Sequence, residues 1–334
     1  MRAAWYEKNG EARDVLVVGE LPDPTPGPGE VRIRMATSGV NPSDVKSRRN
    51  KPLTSAFVVP HSDGAGVIDQ VGAGVAASRL GERVWTWNAQ WQRPMGTASE
   101  YVVLPSAQAV ALPDGTSFAE GACLGIPALT AVQAVRLAGD VAGKTVLVTG
   151  ASSSVGHYAS QLLKLAGARV IGTVGSPEKA RHAQAAGVAD VIYYKAEPVA
   201  ERVKELTGGR GADAIIDMDL SSTSQLLPAG VLAPHGLLVC YGSNSPGEIA
   251  INFRTMLWSS LGIKCFLVYD LQPADRGAAI ARLTELLQGR QLQHGLGLSF
   301  TLDDIASAHA AVESGREIGN IVVNISPPRA GKPQ

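Results

Sequence analysis

Cysteine is scarce in this 334-residue chain: Cys123, Cys240 and Cys265 are odd in number, far apart and without a CxxC pair. A disulfide framework and a cysteine-rich structural zinc site are therefore not expected, and a reducing cytoplasm fits best. Neither sign of charge is in excess, since thirty Lys and Arg balance thirty Asp and Glu. Without a global positive field, the sequence gives no reason to expect binding to nucleic acid or to an anionic membrane. No uncharged apolar run reaches the roughly 18 residues a spanning helix needs. The longest candidate, Gly121 to Val135, contains Pro127, Thr130 and Gln133. The opening Met1-Arg2-Ala3-Ala4-Trp5-Tyr6-Glu7-Lys8 carries charge where a signal peptide needs an apolar stretch. Several catalytic signatures are missing too: no Tyr is followed four positions later by Lys, and neither HExxH nor GxSxG occurs.

What is plentiful is Gly (37) and Pro (20), enough for many tight turns between buried segments. The first third reads as short strands, Val31 to Met35, Gly64 to Ile68 and Glu82 to Trp85, separated by Gly/Pro clusters. A different architecture begins near residue 122, where a helix from about Ala128 precedes alternating strands and helices. The expected strands are Thr145 to Thr149, Arg169 to Val174, Asp190 to Tyr193, Ala212 to Asp217 and Gly236 to Tyr241, with a further one at Ile263 to Val268. Apolar strands interleaved with helices predict a parallel sheet covered on both faces, an α/β doubly wound fold. The helices Asp275 to Gln288 and Leu302 to Ser314 and a last strand, Ile321 to Asn324, do not extend that sheet. They are expected to return to the first domain, with Ser326 to Gln334 as a frayed tail.

One turn carries chemistry. Lys144 to Gly156 reads as a buried strand, a small-residue turn and a helix start, the order in which a dinucleotide pyrophosphate is held by backbone N–H groups at a helix N-terminus. Gly150, Ala151, Ser152, Ser153, Ser154, Val155 and Gly156 are the candidates. The turn departs from GxGxxG, because Ala151 and Ser153 stand where the first two glycines would be; an ordinary strand-to-helix turn is the alternative. At the end of the second strand, Gly175 leaves space, Ser176 can donate a hydrogen bond and Lys179 brings the positive charge a 2'-phosphate wants. NADP(H) is therefore expected over NAD(H), although Glu178 could instead face a ribose.

Taken together, Pro26-Gly27-Pro28-Gly29-Glu30-Val31, Ser38-Gly39-Val40-Asn41-Pro42-Ser43-Asp44, Asp63-Gly64-Ala65-Gly66-Val67, Gly81-Glu82-Arg83-Val84, Gly121 to Pro127, Leu129-Thr130-Ala131, Val148 to Ser152, Gly172 to Ser176 and Ile318 to Val323 resemble one family across nearly the whole chain. It is the zinc-independent, zeta-crystallin-like quinone oxidoreductase family of the medium-chain dehydrogenase/reductase superfamily. The resemblance implies a GroES-like, mostly-β catalytic domain from both chain ends (1–122 and 270–334) and a Rossmann-like cofactor domain between them (123–269). It also implies a homodimer joined at the cofactor-domain sheet edge. The zinc enzymes of that superfamily use a Cys and a His where this chain has Asn41 and Ser62, so no metal is expected, and His61 is read as a loop or pocket histidine.

Among catalytic candidates, Asn41 can donate from its amide toward an acceptor oxygen or the cofactor ribose, or can serve only as a turn residue before Pro42. Asp44 shares its segment. Thr130 resembles the family threonine that contacts nicotinamide, and Tyr194 a tyrosine near the adenosine 2'-phosphate. Gly242, Ser243 and Asn244 follow a strand at its ligand-binding end, and Asn320 lies where the family's last strand approaches the cofactor. On the substrate side, Lys46 opens a basic stretch, Val45 to Pro52, that is either a solvated loop or an anion-recognising entrance. Trp87, with Trp85 and Trp91, could stack a planar acceptor or face the core. The expected activity is NADPH-dependent hydride transfer to a small quinone or conjugated carbonyl. Reduction of an enoyl thioester and a non-catalytic, NADPH-binding regulatory role are the competing readings.

Overall fold

The structure, a computed structural model, describes residues 1–325; the expected tail, 326–334, lies outside the described residues. The chain divides into two compact units, Met1–Ile126 with His294–Gln334, and Pro127–Gln293. The expected boundaries at 122 and 270 are thereby corrected to 126 and 293. The helix Pro273–Gln288, assigned to the first domain on sequence, packs in the second unit against Leu129–Ala138, where Arg136 pairs with Asp275 at 3.3 Å. Its apolar stripe did not reveal which unit it faces.

In the first unit a seven-stranded sheet runs Leu296–Thr301, Asn320–Asn324, Glu30–Val40, Asp63–Val71, Arg83–Thr86, Ala109–Ala111, with Tyr101–Pro105 also paired to Glu30–Val40. All these pairs are antiparallel except Leu296–Thr301 with Asn320–Asn324. Val31, Ile33 and Met35 alternate inward along their strand and meet Ile68, Val84, Val102 and Leu104 in the core. Each such side chain contributes roughly 2 kcal/mol by leaving water. Trp85 is wholly buried here, so it is a core residue and does not stack an acceptor. The stretch read as a basic loop is instead the helix Pro42–Asn50, opened by Asn41 as N-cap and Pro42 at the first helical position. Sequence periodicity missed it because the helix turns few apolar residues inward; besides Val45 it buries Asp44 and Arg48.

The second unit holds a six-stranded parallel sheet in the order Asp190–Tyr193, Arg169–Val174, Thr145–Val148, Ala212–Asp217, Leu232–Cys240, Gly262–Cys265. Leu147, Ile171, Ile192, Ile215 and Leu238 form its core. The last strand stops at Cys265, short of the expected Val268, which begins a short 3-10 turn. The order reverses at Thr145–Val148, and ligands of doubly wound sheets bind beyond the carboxyl ends of the strands at such a switch point. Among the described residues no helix is long and apolar enough to cross a membrane.

Candidate active site

The turn after Thr145–Val148 sits at that switch point. Gly150 has φ of +62°, and a side chain there would run into Sδ of Met218. A Cβ on Gly156 would collide with the carbonyl of Gly150 and the backbone of Ala151, so the helix Ser154–Leu165 approaches the turn as closely as its backbone allows. Ser153 caps this helix, its Oγ accepting from the Gly156 amide at 3.1 Å. Thr173 takes the Gly150 and Ala151 amides, at 2.9 Å and 3.0 Å. The amides of Ser154 and Val155 lie in the first turn, where N–H groups have no intrahelical acceptor. A cradle of small residues, aimed by a 12-residue helix, fits a dinucleotide pyrophosphate.

At the end of Arg169–Val174 the chain reads Gly175-Ser176 with no carboxylate. Ser176 caps the helix Pro177–Ala185 by accepting from the Lys179 amide at 3.3 Å. The Tyr194 hydroxyl lies 3.2 Å from where a Cβ of Gly175 would be, and the ring is half exposed. The structure thus brings Gly175, Ser176, Lys179 and Tyr194 to one corner. Glu178 is exposed and 3.8 Å from Arg181.

Beyond Leu232–Cys240, Gly242 abuts the Met218 carbonyl. Asn244 is held by Asp219: its backbone N–H donates to Oδ1 and its Nδ2 to Oδ2, both at 2.8 Å. Ser221 and Ser222 donate to the same carboxylate at 2.5 Å and 2.6 Å, and these bonds hold Asp219 at a pKa of about 2 despite partial burial. The Ser243 hydroxyl accepts from the Ser245 amide at 3.2 Å. Thr130 is buried at the start of Leu129–Ala138, directly after a wide π-type turn over Leu124–Ala128.

In the first unit the Asn41 backbone N–H donates to Asp44 Oδ2 at 2.7 Å, and its side-chain Nδ2 donates to Asp63 Oδ2 at 2.9 Å. The amide hydrogens expected to face a ligand are therefore engaged by the Asp63 and Asp44 carboxylates, leaving Oδ1. Asp44 is buried with its carboxyl pushed up to about 7 by desolvation, against which the Asn41 and Ser62 amides pull. Asp63 is pushed up further by burial and by Asp44, with Asn41 and the Ile126 amide opposing. Asn320 Nδ2 donates to the Gly295 carbonyl at 2.9 Å, tying a strand start to a loop. Lys46 is exposed, and Trp87 donates from Nε1 to the Ala107 carbonyl at 3.3 Å.

The basic entrance is corrected: Arg48 is buried against the Gly10 carbonyl and Glu313, and Arg49 pairs with Glu313 and Glu11. His61 is a wholly buried residue of the first unit's interior. Asp63 and Asp219 were not identified as site residues on sequence. Asp63 stood in the quoted Asp63-Gly64-Ala65-Gly66 segment, whereas Asp219 carried no signal. Amide and hydroxyl at 41 and 62 are poor zinc donors, and among the described residues no three His, Cys, Asp or Glu side chains converge on a point.

Residues 27–114 match the alcohol dehydrogenase GroES-like domain, and residues 154–285 match the domain described as zinc-binding dehydrogenase. A quinone oxidoreductase of Pseudomonas aeruginosa is 32% identical over 317 residues, covering 93% of this chain and 95% of that one. Among solved structures, an NAD-dependent alcohol dehydrogenase superposes with a TM-score of 0.87 at 31% identity, covering 98% of this chain and 100% of that one. An Escherichia coli quinone oxidoreductase complexed with NADPH gives 0.86 at 26% identity, with coverage of 97% and 100%. The chain belongs to the zeta-crystallin-like quinone oxidoreductase family of the medium-chain dehydrogenase/reductase superfamily.

Proposed function

We propose that this chain is an NADPH-dependent reductase of quinones and conjugated carbonyls that works without a metal ion. The observation that carries the cofactor choice is the corner after Arg169–Val174, where Gly175, Ser176, Lys179 and Tyr194 meet and the strand itself ends without the carboxylate of an NAD site, the Glu178 carboxylate being bonded by Ser176 and paired with Arg181. When bound, NADPH supplies a hydride. The Ser154 and Val155 amides hold its pyrophosphate in the cradle of Gly150 to Gly156, while Lys179 and Tyr194 flank the 2'-phosphate. Thr130 contacts the nicotinamide side, and Asn41 offers its amide oxygen to a hydroxyl of the nearby ribose. Gly242 and Ser243 line the cofactor, whereas Asn244 and Asn320 act chiefly by fixing the loops around it. Lys46 and Trp87 lie on the acceptor side. Without a Lewis acid, an acceptor must already be electrophilic, which selects quinones and enones.

A second copy of the chain is the proposed partner. Gly262–Cys265 is an open parallel sheet edge, and Phe253 and Trp258, each 73% exposed, stand just before it with Leu257. Such an edge pairs readily with its own copy across a two-fold axis.

The test is oxidation of NADPH by phenanthrenequinone, with an NADH control and a chelator control. Turnover that prefers NADPH and survives chelation is expected. Loss of activity on chelation, or equal use of NADH, overturns the reading.

A further inference from the structure

The first unit contains a line of buried polar side chains that the hydride chemistry leaves unexplained. Thr97 Oγ1 donates to the Asp63 carbonyl at 2.6 Å, Ser38 Oγ lies 2.7 Å from Thr97 Oγ1, His61 Nδ1 lies 2.8 Å from Ser38 Oγ, and His309 Nε2 lies 2.9 Å from His61 Nε2. All four side chains are buried. A carbonyl only accepts, so the direction of every bond follows. Thr97 spends its hydrogen on Asp63, Ser38 must donate to Thr97, and His61 Nδ1–H must donate to Ser38. Neutral His61 then offers a bare Nε2, to which His309 Nε2–H donates. Burial favours the neutral form of both rings. The chain runs one way, from His309 to the backbone of Asp63. It also holds His61 at φ of +78°, a left-handed conformation costing a non-glycine residue about 1 kcal/mol.

The Asp63 side chain gives a second, separate account. Its Oδ2 accepts from Asn41 Nδ2 at 2.9 Å and from the Ile126 amide at 3.0 Å. Its Oδ1 is buried with no donor. A Cβ on Gly125 would strike both Asp63 Oδ1 and the Thr86 carbonyl oxygen, so only a glycine fits against this carboxyl. A buried carboxyl oxygen without a donor favours the un-ionised acid. Asp44, by contrast, accepts from the backbone amides of Asn41 and Ser62 and is equipped to carry charge. The titratable groups facing Asp63 are Asp44 on the helix Pro42–Asn50, which disfavours a second negative charge, and the thiol of Cys123 after Phe118–Gly121, which burial keeps protonated and uncharged. The flanking strands bring only Ser38 and Thr86.

We propose that Asp63 is a positioning residue of the hydride-transfer site, an un-ionised carboxylic acid that fixes the Asn41 amide and is itself held by the hydrogen-bond chain from His309. This rests on the assignment of Asn41 to that site. With Oδ2 accepting, the Asn41 amide cannot flip, and its Oδ1 keeps one orientation toward a ligand.

The tests separate the acid from the reductase reading. Ionisation of Asp63 at alkaline pH should lower wild-type kcat, and Asp63→Asn, an isostere of the neutral acid, is expected to keep NADPH affinity and kcat within about threefold of wild type at neutral pH and to show no such fall. Asp63→Ala is expected to lower kcat roughly tenfold to a hundredfold through misplacement of Asn41. Well above pH 7, where Asp44 is ionised, an infrared carbonyl band of an un-ionised acid should be present in the wild type and missing from Asp63→Asn. That readout holds whether or not quinones prove to be substrates. His309→Gln retains a donor to His61 and should behave as wild type, whereas His309→Phe should lower kcat severalfold with NADPH affinity unchanged. Failure of wild-type quinone turnover would sink the reductase reading while the infrared band still decides the state of Asp63. Asp63→Asn as inactive as Asp63→Ala, an unchanged acid band in Asp63→Asn, or, where that variant does not fold, equal kcat in the two His309 variants would overturn the proposal.

Discussion

The buried guanidinium of Arg48 is paired with Glu313, 265 residues further along the chain. It also donates to the Gly10 carbonyl, so one side chain joins the N-terminal segment, the Pro42–Asn50 helix and the helix Ile305–Ser314. Arg48→Met leaves Glu313 with Arg49 alone and the Gly10 carbonyl without its donor, and is expected to destabilise by about 2 kcal/mol. Urea unfolding measures it. Lys46→Ala, on the same helix but exposed, should change stability by under about 0.5 kcal/mol.

Cofactor choice can be turned at the Ser176 corner. Ser176→Asp keeps the helix cap, since Asp caps as well as Ser, and places a carboxylate where a 2'-phosphate would sit. The KM for NADPH should rise at least tenfold, roughly the effect of 1.4 kcal/mol, while that for NADH changes little or falls. Steady-state kinetics with both cofactors, alongside thermal unfolding, gives the answer. Equal changes for both would place the 2'-phosphate elsewhere.

Gly156→Ala tests the close approach of helix to turn. The added methyl meets the Gly150 carbonyl and Ala151 backbone, neither of which has a rotamer in which to retreat. A loss of about 2 kcal/mol in stability and weakened NADPH binding are expected, by denaturation and by fluorescence titration.

Asp44 gives stability a slope in pH. Its folded-state pKa is raised from 3.8 to about 7 by burial. A raised carboxyl stabilises the fold fully only below the unfolded value, and this is lost as pH climbs through the folded one. Wild type should therefore lose a few kcal/mol relative to Asp44→Asn between those two values. Parallel urea curves across that range would show it; two curves of equal slope would mean Asp44 is charged throughout.

The sheet edge makes its own prediction. Trp258→Asp puts a charge on an exposed aromatic beside Gly262–Cys265 and should convert a dimer to monomer in light scattering, with the isolated fold intact.

The second unit was the easier to read because its strands are apolar runs between helices of clear period, and the phosphate turn shows itself as small residues between them. Asn41, Thr130 and Ser176 stand out for the same reason, as polar residues at element starts. The Pro42–Asn50 helix did not, since what it buries includes an aspartate and an arginine, and no hydrophobicity pattern announces a buried ion pair. Trp85 and Trp87 looked alike in sequence, yet only the first enters the core. Asp63 depends on partners at Asn41 and Ile126, whose proximity only the fold creates.

Asp219 fastens Ser221, Ser222 and Asn244 with one carboxylate, so the two loops that leave adjacent strand ends share a common anchor. Any ligand that displaces one of them must drag the other along or else sever the two hydrogen bonds between Asp219 and Asn244 at once. The rim of the cofactor sheet is thereby made to respond as a single piece, with selectivity exerted through collective fit instead of independent adjustment.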